Sequence, residues 1–159
     1  MLLYHYTAHE CWPLIAKEGI NRGEVALGPH DCLNAVWLTL DKSPDEHGLS
    51  DARLVTPDEA RFLGVQWTDG LAWPNSRAVR LTVKVPRGDR ALVSWNLWAN
   101  KNVCPKWRMP YEEAGGGRAK AKTWFIYWGV VPSAWIVKKE DLVLLPQDNR
   151  PMTFVSPRR

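Results

Sequence analysis

The clearest pattern in the chain is in the segment 77–85, where apolar and polar residues alternate from Val79 to Val85. Because successive side chains of a strand point to opposite faces of a sheet, this period of two predicts a half-buried β-strand. Two shorter apolar segments, 2–7 and 35–40, predict two further strands that carry polar or aromatic side chains among apolar ones. A polar group inside a buried strand needs a hydrogen-bond partner or a ligand, so both strands are candidates for a binding site.

A helix is predicted directly after the first of these strands. Thr7 and Glu10 have the spacing of a capping box, and Gly19 offers a left-handed C-terminal stop. Pro13 lies too far inside a helix that is capped by Thr7. The regular helix is therefore expected to begin near Cys11, with Pro13 in its first turn.

The rest of the chain predicts loops and short strands, with no internal repeat. We expect an irregular connection over 20–33, a loop with one helical turn over 41–58, a strand or the start of a short helix over 91–97, a mobile, glycine-broken excursion over 106–121, and strands over 123–128, 135–137 and 142–145. This order indicates an α+β fold in a single domain, residues 1–145, followed by a loose C-terminal tail, residues 146–159.

The composition is that of a soluble globular protein, with 45% hydrophobic and 24% charged residues among 159. No apolar run approaches the roughly 20 residues that a membrane-spanning helix needs, and the first residues do not resemble a secretory signal. We therefore expect a cytoplasmic protein without membrane contact. Cys11, Cys32 and Cys104 contain no Cys-x-x-Cys pair, so they predict neither a disulfide framework nor a metal site and are expected to be packing residues.

The net charge of +4 and the ten tryptophans would suit an acidic partner such as nucleic acid. The basic residues are gathered in a few short groups, and surface charge of this size is more typical of a solvated face. The chain has no GxGxxG, P-loop or HExxH motif, which excludes the usual Rossmann and P-loop nucleotide sites.

Two of the predicted strands resemble motifs of the ADP-ribosyltransferase fold family. Tyr4-His5-Tyr6-Thr7, with the helix that follows it, is similar to the first-strand motif, in which His-Gly-Thr or His-Tyr-Thr is common. Ala35-Val36-Trp37-Leu38-Thr39 is similar to the second motif, as found in the diphtheria-toxin-like and poly-ADP-ribose-polymerase-like branch or in RNA 2′-phosphotransferases. The resemblance covers residues 1–50. It implies an α+β domain with a split, strongly bent β core and few short helices, in a phage or bacterial protein.

The resemblance also implies that NAD is the cofactor and that five residues of these strands bind it: His5, Tyr6, Thr7, Trp37 and Thr39. His5 would hold ribose hydroxyl groups, and Trp37 would stack on the nicotinamide ring at a position where the family usually has tyrosine. The structural alternative is that His5 donates a hydrogen bond to a backbone carbonyl and that Trp37 is a core residue.

The third motif of the family places a glutamate at the head of a late strand, where its carboxylate stabilises positive charge in the transition state. The best match here is the segment 123–127, which has Thr123 in the glutamate position. A neutral hydroxyl cannot supply that charge, so Glu113 or its neighbour Glu112 is the candidate carboxylate, and Glu140 is a weaker one. Thr123 and Glu113 are the two catalytic candidates.

Three functions follow from the resemblance. The first is an enzyme that transfers ADP-ribose from NAD to a macromolecular acceptor, with a protein acceptor favoured over nucleic acid and no metal involved. The second is a catalytically degenerate member that acts as a protein- or nucleic-acid-binding module. The third is a relative of RNA 2′-phosphotransferases, which is disfavoured because no basic cluster follows the first helix.

Overall fold

The computed structural model describes residues 1–28 and 31–143. Within these residues the chain forms eight strands: β1 (Leu2–Thr7), β2 (Glu24–Ala26), β3 (Cys32–Asn34), β4 (Val36–Thr39), β5 (Val79–Lys84), β6 (Leu92–Ser94), β7 (Trp124–Tyr127) and β8 (Ile136–Asp141). It also forms five helices: α1 (Trp12–Glu18), α2 (Pro57–Leu63), α3 (Trp95–Asn102), α4 (Pro105–Ala114) and α5 (Gly117–Ala121). The predicted tail, 146–159, lies outside the described residues.

Six strands form one antiparallel sheet in the order β6-β7-β4-β1-β5-β8, and β2 and β3 form a separate hairpin. The two strands that carry the sequence motifs, β1 and β4, are therefore neighbours at the centre of the sheet, with Tyr4 opposite Thr39. On its other side β1 pairs with β5, with His5 opposite Leu81. This architecture confirms the predicted α+β class in a single domain with few short helices.

The strand β5 confirms the prediction from the alternating pattern. Val79, Leu81 and Val83 are fully buried, whereas Arg80 and Thr82 on the opposite face are half-buried. The buried face belongs to a core that also includes residues of β1 and β4. A second buried cluster includes residues of α3, α5 and β7.

Helix α1 begins at Trp12 and has Pro13 in its first turn, as predicted. The predicted capping box at Thr7 is wrong, because a short 3-10 turn at His9–Cys11 precedes the helix and has no side-chain cap. The C-terminal stop at Gly19 is confirmed: its φ is +82°, and a Cβ atom there would lie 2.4 Å from the Val131 carbonyl oxygen. Only glycine fits that approach without strain.

The segment 106–121 differs most from its prediction. A mobile excursion was expected, but residues of this segment form most of α4 and all of α5. The Glu112 carboxylate is buried and accepts hydrogen bonds from Arg108 Nε at 2.5 Å and from the Trp95 indole at 3.0 Å. Arg108 and Glu112 are an i,i+4 pair within α4, whereas the Trp95 bond fixes α4 against α3 and joins residues whose pairing no local pattern indicates.

Four smaller predictions are also corrected. The connection 20–33 contains strand β2 and most of β3, the strand expected over 135–137 lies largely within β8, and the three cysteines are exposed rather than packed. Of the strand expected over 142–145, residues 142 and 143 are not in a strand, and 144 and 145 lie outside the described residues. The helical part of the loop over 41–58 begins only at its end, with α2. Among the described residues no helix is long and apolar enough to cross a membrane.

Candidate functional site

A cavity of about 610 Å³ lies against the central strands β1 and β4. Its walls come from five short parts of the chain and from four single residues: 4–6, 22–24, 37–39, 47–50 and 114–115, with Trp73, Ser76, Tyr111 and Trp124. Its volume falls within the range of about 300–1,000 Å³ that is usual for small-molecule sites. The cavity therefore brings together the motif-bearing strands and regions distant in sequence.

His5 is bound to Trp37 at the wall of this cavity. Its Nδ1 atom lies 2.9 Å from the Trp37 carbonyl oxygen, and because a carbonyl can only accept, Nδ1 carries the proton. Burial lowers the pKa of His5, so the ring is neutral near pH 7 and Nε2 is an acceptor. Nε2 has no hydrogen-bond partner among the residues that the structure describes. His5 thus makes the hydrogen bond to a backbone carbonyl that the structural alternative expects, and its second ring nitrogen is left for a ligand.

Trp37 is held on two sides. Its indole Nε1 donates to the Glu24 carbonyl at 2.8 Å, and its ring stacks on Tyr111 with centroids 5.8 Å apart. A third ring between them would need about 7 Å, twice the usual contact distance of about 3.5 Å. Tyr111 therefore covers one face of Trp37, and the rings of Trp95 and Trp124 lie 5.0 and 5.9 Å from its centroid. The indole packs against the second core cluster, as the structural alternative expects, and a ligand has only its remaining surface to contact.

Tyr6 and Thr39 line the cavity, whereas Thr7 is buried and is not part of the wall. The Tyr6 hydroxyl donates to the Asp41 carbonyl at 2.9 Å. Burial, partly offset by the nearby Arg80, raises the pKa of Tyr6 to about 12. Of the five predicted cofactor-binding residues, four are therefore at the cavity.

Thr39 and Thr123 form a hydroxyl chain next to the cavity. The Thr123 hydroxyl donates to the Lys120 carbonyl at 2.8 Å, so it can only accept in its 2.9 Å contact with the Thr39 hydroxyl. Thr39 in turn accepts from the Asp41 amide at 3.0 Å. Both hydroxyl protons are used within the protein. Thr123 is not one of the lining residues, and its hydroxyl is bonded to groups of the protein on both sides.

None of the predicted carboxylates lines the cavity. Glu113 is exposed on α4, Glu112 is buried in its bonds to α3 and α4 residues, and Glu140 lies on β8 in ion pairs with Arg80 and Lys138. The acidic residue that does line the cavity is Glu24 of the β2–β3 hairpin. The sequence analysis missed it because the segment was expected to be irregular.

His47 was also missed and is the second histidine of the cavity wall. Its Nδ1 accepts from the Trp124 indole at 2.9 Å, so the proton is on Nε2, which lies 3.6 Å from an Asp41 carboxylate oxygen. The side chain is only 6% exposed, and Nε2 is buried without a hydrogen bond among the described residues. Burial and the nearby Lys120 lower the pKa of His47. No local sequence signal marks this residue.

Two further lining residues carry hydrogen-bonding or charged groups. The indole nitrogen of Trp73 is buried and lacks a partner among the described residues, and Arg22 is an exposed cation at the wall. Among these same residues, no group of three or more His, Cys, Asp or Glu side chains is arranged to hold a metal ion. The arrangement can bind a ligand with aromatic, hydroxyl and anionic parts.

Comparison with known proteins finds no match to this chain, whether against protein-family models, curated sequences or solved structures.

Proposed function

We propose that the cavity binds NAD and that the protein transfers ADP-ribose from it to a macromolecular acceptor, a protein rather than a nucleic acid. The observation that carries the proposal is the 2.9 Å bond between His5 and Trp37. These residues belong to the two motifs, lie far apart in sequence, and meet at one cavity. The proposal includes a sheet of the ADP-ribosyltransferase type, in which the motif strands β1 and β4 are neighbours.

The residues of the wall fit the parts of NAD. The free Nε2 of neutral His5 can accept a hydrogen bond from a ribose hydroxyl. Aromatic rings suit the two bases of the dinucleotide, which bury flat apolar faces. NAD itself would supply the glycosidic bond to nicotinamide as the bond that is cleaved. The residues bind and orient it.

The experiment is a calorimetric titration of the purified protein with NAD, with nicotinamide release followed in the same samples. His5→Ala is expected to weaken NAD binding at least about fivefold. The variant removes the acceptor for the ribose hydroxyl, and a buried hydrogen-bonding group left without its partner costs about 1–3 kcal/mol. His9→Ala is the matched control, since His9 bonds to Asp141 and Val143 and is not a lining residue. Unchanged affinity in His5→Ala, or no binding at millimolar NAD, would contradict the proposal.

A binding module without turnover is the second candidate. It is favoured by Thr123, which replaces the motif glutamate with a hydroxyl that is already bonded within the protein. The same titration separates the two candidates. NAD binding with nicotinamide release supports the transferase, whereas binding without release, even with an acceptor-rich protein mixture present, supports the module.

A further inference from the structure

We propose that Glu24 is the catalytic carboxylate of this cavity and that Arg22 holds the anionic part of the dinucleotide. This inference rests on the proposed function. Glu24 is the one acidic residue and Arg22 the one lysine or arginine among the lining residues. Neither side chain has an ion pair or a hydrogen bond with another residue in the described part of the chain. Both charges are therefore free to act on a ligand.

The backbone of the segment 22–24 is fixed against the start of β4. The Glu24 carbonyl accepts from the Trp37 indole at 2.8 Å, and the Gly23 carbonyl accepts from the Ala35 amide at 3.1 Å. A Cβ atom on Gly23 would lie 2.1 Å from the Ala35 carbonyl oxygen, so only glycine allows this approach. The Gly23 amide is bonded as well, to the Asn34 side chain at 3.2 Å. The charged residues Arg22 and Glu24 thus lie on either side of a glycine whose backbone is fixed by hydrogen bonds.

The chemistry of transfer requires a negative charge at the ribose. When the bond from ribose C1 to the nicotinamide nitrogen breaks, its electron pair leaves with nicotinamide, which becomes neutral, and positive charge develops on the ribose. The acceptor nucleophile then bonds to C1 and releases its proton to solvent. A carboxylate beside a developing oxocarbenium-like charge lowers the barrier, as in glycoside hydrolysis. Glu24 can supply this charge. Its backbone carbonyl accepts a hydrogen bond from the indole of Trp37, the ring that is predicted to contact nicotinamide.

The two charges are expected to affect different kinetic quantities. The Arg22 guanidinium suits the two phosphates, which it meets in the ground state as well as in the transition state. Its loss should therefore raise KM while leaving kcat nearly unchanged. The loss of the Glu24 charge should lower kcat, because the charge that it stabilises appears only as the bond breaks.

The test is the rate of nicotinamide release from NAD by the full chain, with NAD affinity measured separately. Glu24→Gln is expected to keep NAD affinity within about threefold and to lower kcat about 100-fold or more. Glu10→Gln, which alters an exposed carboxylate that is not a lining residue, should match the wild type and is the control, and Glu113→Gln tests the carboxylate predicted from the sequence. Arg22→Ala should raise KM about tenfold, and more so at low salt.

The outcomes separate this inference from the proposed function. Wild-type kcat in Glu24→Gln, or a loss of kcat in Glu113→Gln instead, would overturn the role of Glu24 and leave NAD binding intact. NAD binding by the wild type without nicotinamide release would also overturn it. No NAD binding at all would overturn the proposed function and this inference with it.

Discussion

Two walls of the cavity arise from the sequence in different ways. The strand wall consists of β1 and β4, with His5 and Trp37, and its residues lie within two short segments whose pattern predicts buried strands. The helical wall is the end of α4, with Tyr111, and it lies in a segment where glycines and proline predict no regular structure. The strand wall follows from local apolar segments, whereas the helical wall depends on contacts with α3 and β7.

The difference shows what holds each wall. The two wall strands lie at the centre of the sheet and are apolar along most of their length, so each is visible in the sequence as a short apolar segment. Helix α4 contains Pro110 and ends beside Gly115, where a Cβ atom would lie 2.2 Å from the Trp124 ring. The glycine that looks like a chain breaker is needed for close packing on a tryptophan. Its role depends on a residue that only the folded chain brings near.

The largest loss in the free energy of unfolding is expected when the hydrogen bonds that hold the helical wall are removed. Glu112→Ala would leave Arg108 Nε and the Trp95 indole without their acceptor, and removing one partner of a buried ion pair costs about 3–5 kcal/mol. Urea unfolding followed by tryptophan fluorescence measures this. Glu113→Ala, one residue further along α4 but exposed, should change the free energy of unfolding by less than about 0.5 kcal/mol. Equal losses in both variants would contradict the comparison.

A smaller effect is expected where β4 meets β7. Thr123→Val removes the donor to the Lys120 carbonyl and the acceptor for the Thr39 hydroxyl, at a cost of about 1–3 kcal/mol. The exposed Thr68→Val is the control and should be nearly neutral. If Thr123 is structural, NAD binding by the folded variant stays at the wild-type level. A selective loss of nicotinamide release, with stability retained, would restore its predicted catalytic role.

The smallest effect concerns the pH dependence of stability at His47. Because burial lowers its pKa in the folded state, the unfolded chain binds the proton more readily. The contribution of His47 is therefore complete above its ordinary pKa of about 6.5 and is lost as the pH falls below it, by at most about 1.4 kcal/mol per pH unit. Protonation would also place a second donor on Nδ1, opposite the Trp124 indole that donates to it.

This prediction is measured as the free energy of unfolding of the wild type and of His47→Gln between pH 8 and pH 5. The profile of the variant should be flatter across that window. His5 shifts in the same direction and remains in both proteins, so the difference between the two profiles isolates His47. Parallel profiles would show that His47 binds its proton equally well in both states.

One sequence motif illustrates the limit of local prediction, because Thr-x-x-Glu occurs at two candidate helix starts. Thr7 and Glu10 were expected to form a capping box, but Thr7 is the last residue of β1 and the box does not form. Thr56 and Glu59 form a complete capping box at the start of α2, with the Thr56 hydroxyl accepting from the Glu59 amide at 3.3 Å. The same spacing forms a capping box only where the threonine is not itself part of a strand.

The sequence by itself determined the α+β class, the half-buried strand β5, the helix α1 with its glycine stop, and the two strands that carry His5 and Trp37. Each of these depends on periodicity or on the conformational freedom of one residue, which are local properties. The tertiary structure decided that α4 is a helix, that Glu24 lines the cavity where Glu113 does not, and that His47 is buried. These features depend on hydrogen bonds and contacts between distant segments, whose free energies no local pattern contains.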